Sequence, residues 1–136
     1  MRWIVDGMNV IGSRPDGWWR DRHRAMVMLV ERLEGWAITK ARGDDVTVVF
    51  ERPPSTAIPS SVVEVAHAPK AAANSADDEI VRLVRSGAQP QEIRVVTSDK
   101  ALTDRVRDLG AAVYPAERFR DLIDPRGRTR PAARSD

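Results

Sequence analysis

The chain contains no cysteine. That excludes a disulfide framework, a thiolate zinc site and a cysteine nucleophile, and it fits a reducing compartment. No apolar run approaches the roughly 20 residues that a membrane span needs. The N-terminus also lacks the basic-then-apolar design of a signal peptide. The expectation is a cytoplasmic protein that does not engage a membrane. Neither Gly-x-Gly-x-x-Gly nor Gly-Lys-Ser/Thr occurs, which weighs against a bound nucleotide cofactor. There are only two histidines. His23 reads as solvent-facing, and His67 closes a strand with nothing nearby in sequence to orient it.

What the chain does contain is the composition of one globular domain. Its 136 residues are 42% hydrophobic and 31% charged, enough apolar material to bury a core. The formal net charge is only +2, but pI is near 9.5 and the charges are unevenly spread, so their distribution matters more than their sum. No internal repeat or interdomain linker is visible. Residues 1–123 are expected to form the domain. Residues 124–136, with Arg126, Arg128, Arg130 and Arg134, are expected to form a basic, flexible tail too polar to pack.

The first stretch after Met1 organises the rest. Trp3-Ile4-Val5 is a short apolar run that ends in Asp6, Gly7 and Asn9, which reads as a buried strand entering a tight turn. Gly7 is expected to let the chain leave the strand sharply. Asp-Gly is ordinary turn chemistry, so within this stretch Asp6 serves equally as a turn former or a site residue. Ser13 to Arg20 follows as a Pro- and Gly-containing loop. From Asp21 to Lys40, Ala25, Met26, Leu29, Val30, Leu33, Trp36 and Ala37 recur at spacings of three and four, predicting an amphipathic helix that ends near Gly43.

Val46 to Phe50 predicts a second strand, and the prolines of Glu51 to Ser60 predict an irregular loop. Further strands are predicted at Ser61 to Ala66, Glu92 to Thr97 and Ala111 to Tyr114. Helices are predicted at Ala76 to Ser86 and Lys100 to Leu109, with one or two turns more from Glu117 to Ile123. Strands alternating with helices indicate a three-layer α/β/α sandwich around a mostly parallel sheet.

Ligands of such sheets gather beyond the carboxyl ends of the strands, and three acids are predicted to converge there. Asp6 ends the first strand and Asp99 follows the fourth. Asp77 lies in the first turn of the second long helix, on the face carrying Ile80, Val81 and Val84, whereas Asp78 and Glu79 point away. Asp78 stands three residues after Ser75, the spacing of a capping box, so its expected role is structural. Asp99 suits a helix cap as well as a site. Asp104 is out of phase with Leu102, Val106 and Leu109, which makes it a surface residue and only a weak candidate for a fourth acid.

Three neighbouring carboxylates repel one another unless a cation neutralises them. Oxygen-only ligands favour Mg2+ or Mn2+, and such an ion suits hydrolysis of phosphodiesters. Asn9 can contact the phosphate or orient a water, and the hydroxyls of Thr97 and Ser98 can hold the carboxylates in place.

Ile4-Val-Asp-Gly-Met-Asn-Val10, Ser75-Ala-Asp77 at a helix start, and Val95-Val-Thr-Ser-Asp99 before the next helix together resemble the YacP-like group of NYN domains, within the PIN-like nuclease superfamily. The likeness runs to about Leu122. It implies a PIN-like fold and a magnesium- or manganese-dependent endoribonuclease. It also implies that Asp6, Asp77 and Asp99 are the metal-binding acids and Asn9 the characteristic asparagine. Many PIN-like nucleases carry a fourth acid soon after the third. Here the nearest is Asp104, and Glu51, at the end of the second strand, is expected to be a structural carboxylate at the edge of the site.

Trp18 and Trp19, among Arg14, Arg20, Arg22 and Arg24, make an aromatic and cationic mixture suited to unpaired bases and phosphates, with at least one tryptophan expected to pin the following helix to the core. Lys100 is a further candidate RNA contact. Two other readings stay open. One is an RNA-binding module of the same fold that does not cleave. The other is a phosphotransfer or nucleotide-binding domain using Asp6 or Asp99 as acceptor, with Lys100 beside it.

Overall fold

The computed structural model describes residues 1–14, 17–69, 75–87 and 89–124. The basic tail from residue 125 onward lies outside the described residues. Five strands, β1 (Arg2–Asp6), β2 (Asp45–Phe50), β3 (Glu64–His67), β4 (Ile93–Val96) and β5 (Ala112–Tyr114), are interspersed with five helices, two of them following β1 and none separating β2 from β3. The helices are α1 (Gly7–Gly12), α2 (Arg22–Thr39), α3 (Ser75–Ser86), α4 (Lys100–Asp108) and α5 (Ala116–Ile123). None of the described helices is long and apolar enough to cross a membrane.

All four strand pairings are parallel, in the order β3-β2-β1-β4-β5. β1 is therefore central. The chain builds outward from it through β2 and β3, then crosses back to lay β4 on its other side. The place where the order reverses, between the carboxyl ends of β1 and β4, is where an open parallel sheet leaves a crevice. Side chains alternate along a strand. Trp3 and Val5 accordingly join the core under α2 and α5, while Ile4 joins the core under α3 and α4. Continuing the alternation, Asp6 falls on the Ile4 face and Thr97 on the Val95 face, so both reach the side that α3 and α4 cover.

Two expectations change at the first turn. The predicted tight turn after β1 is instead helix α1, because Met8, Val10 and Ile11 offer an apolar stripe that packs on the α2–α5 core. Gly7 is also not there for a sharp exit. A Cβ on Gly7 would stand 2.6 Å from Phe50 Cε1 and 3.0 Å from Val48 Cγ2, so the residue is glycine because the Phe50 ring occupies its side-chain space. Elsewhere the boundaries differ only slightly from the sequence. Asp21 caps α2, its Oδ1 accepting from the Arg24 amide at 3.0 Å. Gly110 (φ 98°) turns the chain after α4. β3 begins at Glu64, later than predicted, because the Ser60 hydroxyl holds the Val62 and Val63 amides at 3.2 and 2.9 Å in a turn.

The α2–α5 face is closed by an aromatic cluster. Trp3 meets Trp36 edge-on with ring centroids 5.0 Å apart, and Phe119 lies 5.1 Å from Trp36 and 5.6 Å from Trp3. Phe119 is fully buried and fastens the short α5 to β1 and α2. This matters for the crevice, because α5 also holds one of its walls.

Candidate active site

Asp6 sits at the end of the central strand and is 6% exposed. Its Oδ2 accepts from the Thr97 hydroxyl at 3.0 Å, and the same Thr97 oxygen accepts from the Asp99 amide at 3.1 Å. One buried hydroxyl thus ties the first acid to the backbone of the third. Asp99 caps α4, its Oδ1 accepting from the Leu102 amide at 2.9 Å. Asn9 Oδ1 accepts from the Ser98 amide at 2.8 Å, fastening α1 to the loop after β4. The Asn9 side chain therefore shapes the crevice, while the Asn9 amide stands near the Asp6 carboxylate without completing a cap.

The structure brings Asp6, Asn9, Asp77 and Asp99 to one cleft, lined as well by Met8, Trp18, Arg22, Glu51 and Ala76. Burial is the main force that raises the Asp6 pKa, to about 7, with Asp77 and Asp99 adding repulsion and the Thr97 hydrogen bond opposing them. Asp77 is half-buried, and its pKa is raised first by burial and then by Asp99, with Asp78 and Glu51 contributing. Arg105 pulls it back. Glu51 is thus part of the cleft's field rather than a bystander at its rim. The strand order puts it there, since β2 lies directly beside β1.

Other residues are placed differently from expectation. The Ser98 hydroxyl does not reach the acids. It donates to Glu117 Oε1 and accepts from the Ala116 amide at 2.9 Å, so it anchors the start of α5. Ser75 is itself the first residue of α3, and Asp78 pairs with Arg105 of α4 at 3.0 Å. Glu79 is buried rather than outward, because Arg82 grips it with two hydrogen bonds of 3.0 and 2.6 Å. Asp104 is at the surface, paired with Lys100 at 3.3 Å, and neither lines the cleft.

Trp18 lines the cleft, with Arg22 5.3 Å above its ring, while Trp19 packs edge-on to Trp18 and stays 54% exposed. Arg20 and Arg24 are exposed, and Arg14 is held by Asp124 at 3.4 Å. His23 is half-buried rather than solvent-facing, and its Nδ1 is sealed without a partner. His67 Nδ1 lies 2.9 Å from the Ala68 carbonyl oxygen, away from the cleft. Sequence reasoning missed Arg105 and Glu117. A cation one helix away from Asp77, and an acid in the first turn of α5, were the only available signals.

Among the described residues, no three histidine, aspartate or glutamate side chains stand close enough to make a ready-formed metal cage. The donor set is nevertheless all oxygen, and burial together with repulsion from neighbouring acids raises the pKa of Asp6 and Asp77. That chemistry fits a hard divalent ion that keeps most of its waters and takes few direct protein ligands.

No curated protein sequence matches the chain. Among solved structures, it is similar to a crystal structure of a single-substitution variant of Rae1 (YacP) from Bacillus subtilis. The TM-score is 0.71 and the identity 25%, over 97% of this chain and 83% of that one. A second crystal structure of Rae1 (YacP) from Bacillus subtilis matches with a TM-score of 0.68 and 22% identity, over 98% of this chain and 80% of that one. The family model of the YacP-like NYN domain matches residues 3–130. With its five-stranded parallel sheet and its acids at the β1/β4 crevice, the chain belongs to the YacP-like NYN domain family, whose fold is of the nuclease type.

Proposed function

We propose that the protein is a divalent-metal-dependent endoribonuclease that hydrolyses RNA phosphodiester bonds. The observation that carries this reading is the convergence of Asp6, Asp77 and Asp99, with Glu51 beside them, at the switch point of the sheet. Burial and mutual repulsion leave Asp6 half-protonated near neutrality. A cation relieves both.

Asp6, Asp77 and Asp99 would hold Mg2+ or Mn2+, directly or through its waters. When bound, the ion polarises the phosphodiester and lowers the pKa of an attacking water. The chain's own residues do the positioning. Thr97 fixes Asp6 and the Asp99 amide, and Asn9 holds the Ser98 backbone so that the cleft keeps its width. Trp18 offers a ring face to an unpaired base, and Arg22 offers a cation to a phosphate.

The test is incubation of purified protein with single-stranded and structured RNA in Mn2+, Mg2+ or EDTA, beside Asp6→Asn, Asp77→Asn and Asp99→Asn. Cleavage is expected only with metal and is expected to fall by roughly a hundredfold or more in each variant, with circular dichroism unchanged. Cleavage that persists in Asp77→Asn but is lost in Asp78→Asn overturns the assignment of Asp77.

One alternative is a module of the same fold that binds RNA without cutting it, through the exposed arginines and Trp18 beside the cleft. Tight RNA binding with no cleavage in either metal selects that alternative. The phosphotransfer reading is disfavoured, because Lys100 pairs with Asp104 rather than with Asp99.

A further inference from the structure

Trp18 lines two concavities. One is the acidic cleft, and the other lies between α1, α2 and α5, floored by Val10, Leu29 and Ile123 and edged by arginines. Two of those arginines are already employed in holding the walls together. Arg14 pairs with Asp124, and Arg120 donates to the Ser13 carbonyl at 2.6 Å. The other two, Arg24 and Arg32, have no ion-pair partner among the described residues, although both edge the groove. Among the described residues that line it, the one carboxylate, Asp21, is engaged in capping α2.

Arg24 and Arg32 are eight residues apart on one helix, about 12 Å along its axis. That exceeds the ~3.4 Å rise per nucleotide within a duplex strand. A single bound phosphate would not need two cations so far apart, whereas an extended anionic chain would meet both. The occupant is therefore polyanionic, and the floor adds that it carries apolar or aromatic groups. The chain's own C-terminal segment is excluded by charge, since Arg126, Arg128, Arg130 and Arg134 would meet an arginine rim. Continuity with the acidic cleft through an aromatic ring points to the same strand that occupies that cleft.

We propose that this groove holds the single-stranded RNA flanking the bond placed in the acidic cleft. Bases lie against Trp18 and the apolar floor, and two non-adjacent phosphates of the strand lie on Arg24 and Arg32. The inference rests on the nuclease reading above and extends it to a footprint longer than the scissile dinucleotide.

The test is fluorescence anisotropy of a labelled single-stranded RNA dodecamer and a trinucleotide with the full chain in EDTA, across a salt series. It compares wild type with the double variant Arg24→Gln/Arg32→Gln and with the conservative Arg24→Lys/Arg32→Lys. The glutamine variant is expected to lose about tenfold in dodecamer affinity. Its slope of log K against log salt is expected to flatten by about 1.4, two contacts at roughly 0.7 each. The trinucleotide should change less, and the lysine variant should retain the slope. An unchanged slope and affinity overturns the groove, as does a polyglutamate peptide of equal length that binds as tightly as the RNA. The two readings fail separately. A glutamine variant with the predicted slope change, beside wild type that cleaves nothing in Mn2+ or Mg2+, sinks only the nuclease reading, and wild type that cleaves while the variant's slope is unmoved sinks only the groove.

Discussion

At the scale of single residues, Asp6 links stability to function. The folded state keeps its proton to about pH 7, against 3.8 for the ordinary carboxyl group. Between those values the folded protein binds more protons than the unfolded chain, so stability falls as pH rises. Over the full interval the effect is of order 4 kcal/mol. In EDTA, thermal melts should therefore show Tm dropping from pH 4 towards pH 7, with Asp6→Asn largely abolishing Asp6's share of the slope. Added Mn2+ should restore wild-type stability above pH 7 while leaving Asp6→Asn nearly unmoved. A wild-type slope equal to that of Asp6→Asn would show that Asp6 is not the group responsible. Arg105 works on the neighbouring acid. Its pair with Asp78 is exposed and worth at most about 1 kcal/mol, but its charge lowers the Asp77 pKa. Arg105→Gln should leave Tm nearly constant and move the acidic limb of the pH–cleavage profile to higher pH.

At the scale of elements, α1 shows what a sequence can and cannot display. Asp77 was legible because Ile80, Val81 and Val84 recur at helical spacing and fix the phase of their helix. Helix α1 was not, because six residues are too few to establish a period and Asp-Gly-x-Asn has strong turn chemistry of its own. Glu79 escaped for another reason. Its burial depends on the clamp from Arg82, a pairing that a hydrophobic pattern does not register. Ser98 was sent to the wrong partner because α5 begins at Ala116, close enough to capture its hydroxyl, and sequence distance gave no hint of that meeting. The contact between α1 and β2 makes its own prediction. Gly7→Ala drives a methyl group into the Phe50 ring and should cost about 1–3 kcal/mol. Urea denaturation should show a lower midpoint at unchanged m-value, and a midpoint within error of wild type would mean that the ring moves aside freely.

At the scale of the whole molecule, the sheet order decides which residues meet. The alternation of strands and helices was plain from composition and period, and so was the layered class. The position of Glu51 was not, because it follows from β2 lying next to β1, which no local pattern specifies. The aromatic cluster is similarly global, joining Trp3, Trp36, Tyr114 and Phe119 from four different elements. Phe119→Ala should lose about 3–5 kcal/mol by calorimetry or denaturant titration. It should also loosen α5 and with it the Ser98 anchor, so RNA cleavage at temperatures where the variant is still folded is expected to fall too. Full cleavage in a stably folded Phe119→Ala protein would separate α5 from the cleft.

The hydrogen bond between Thr97 and Asp6 spans 91 residues of sequence. A chain emerging from the ribosome can therefore complete β1, α2 and β2 with Asp6 already in place, yet it has no cleft until β4 has been made and has slotted in beside β1. The proposed ribonuclease is inert until β4 has been translated. It acquires Asp6, Asp77 and Asp99 together only when the chain has crossed back from β3 to lay β4 beside β1.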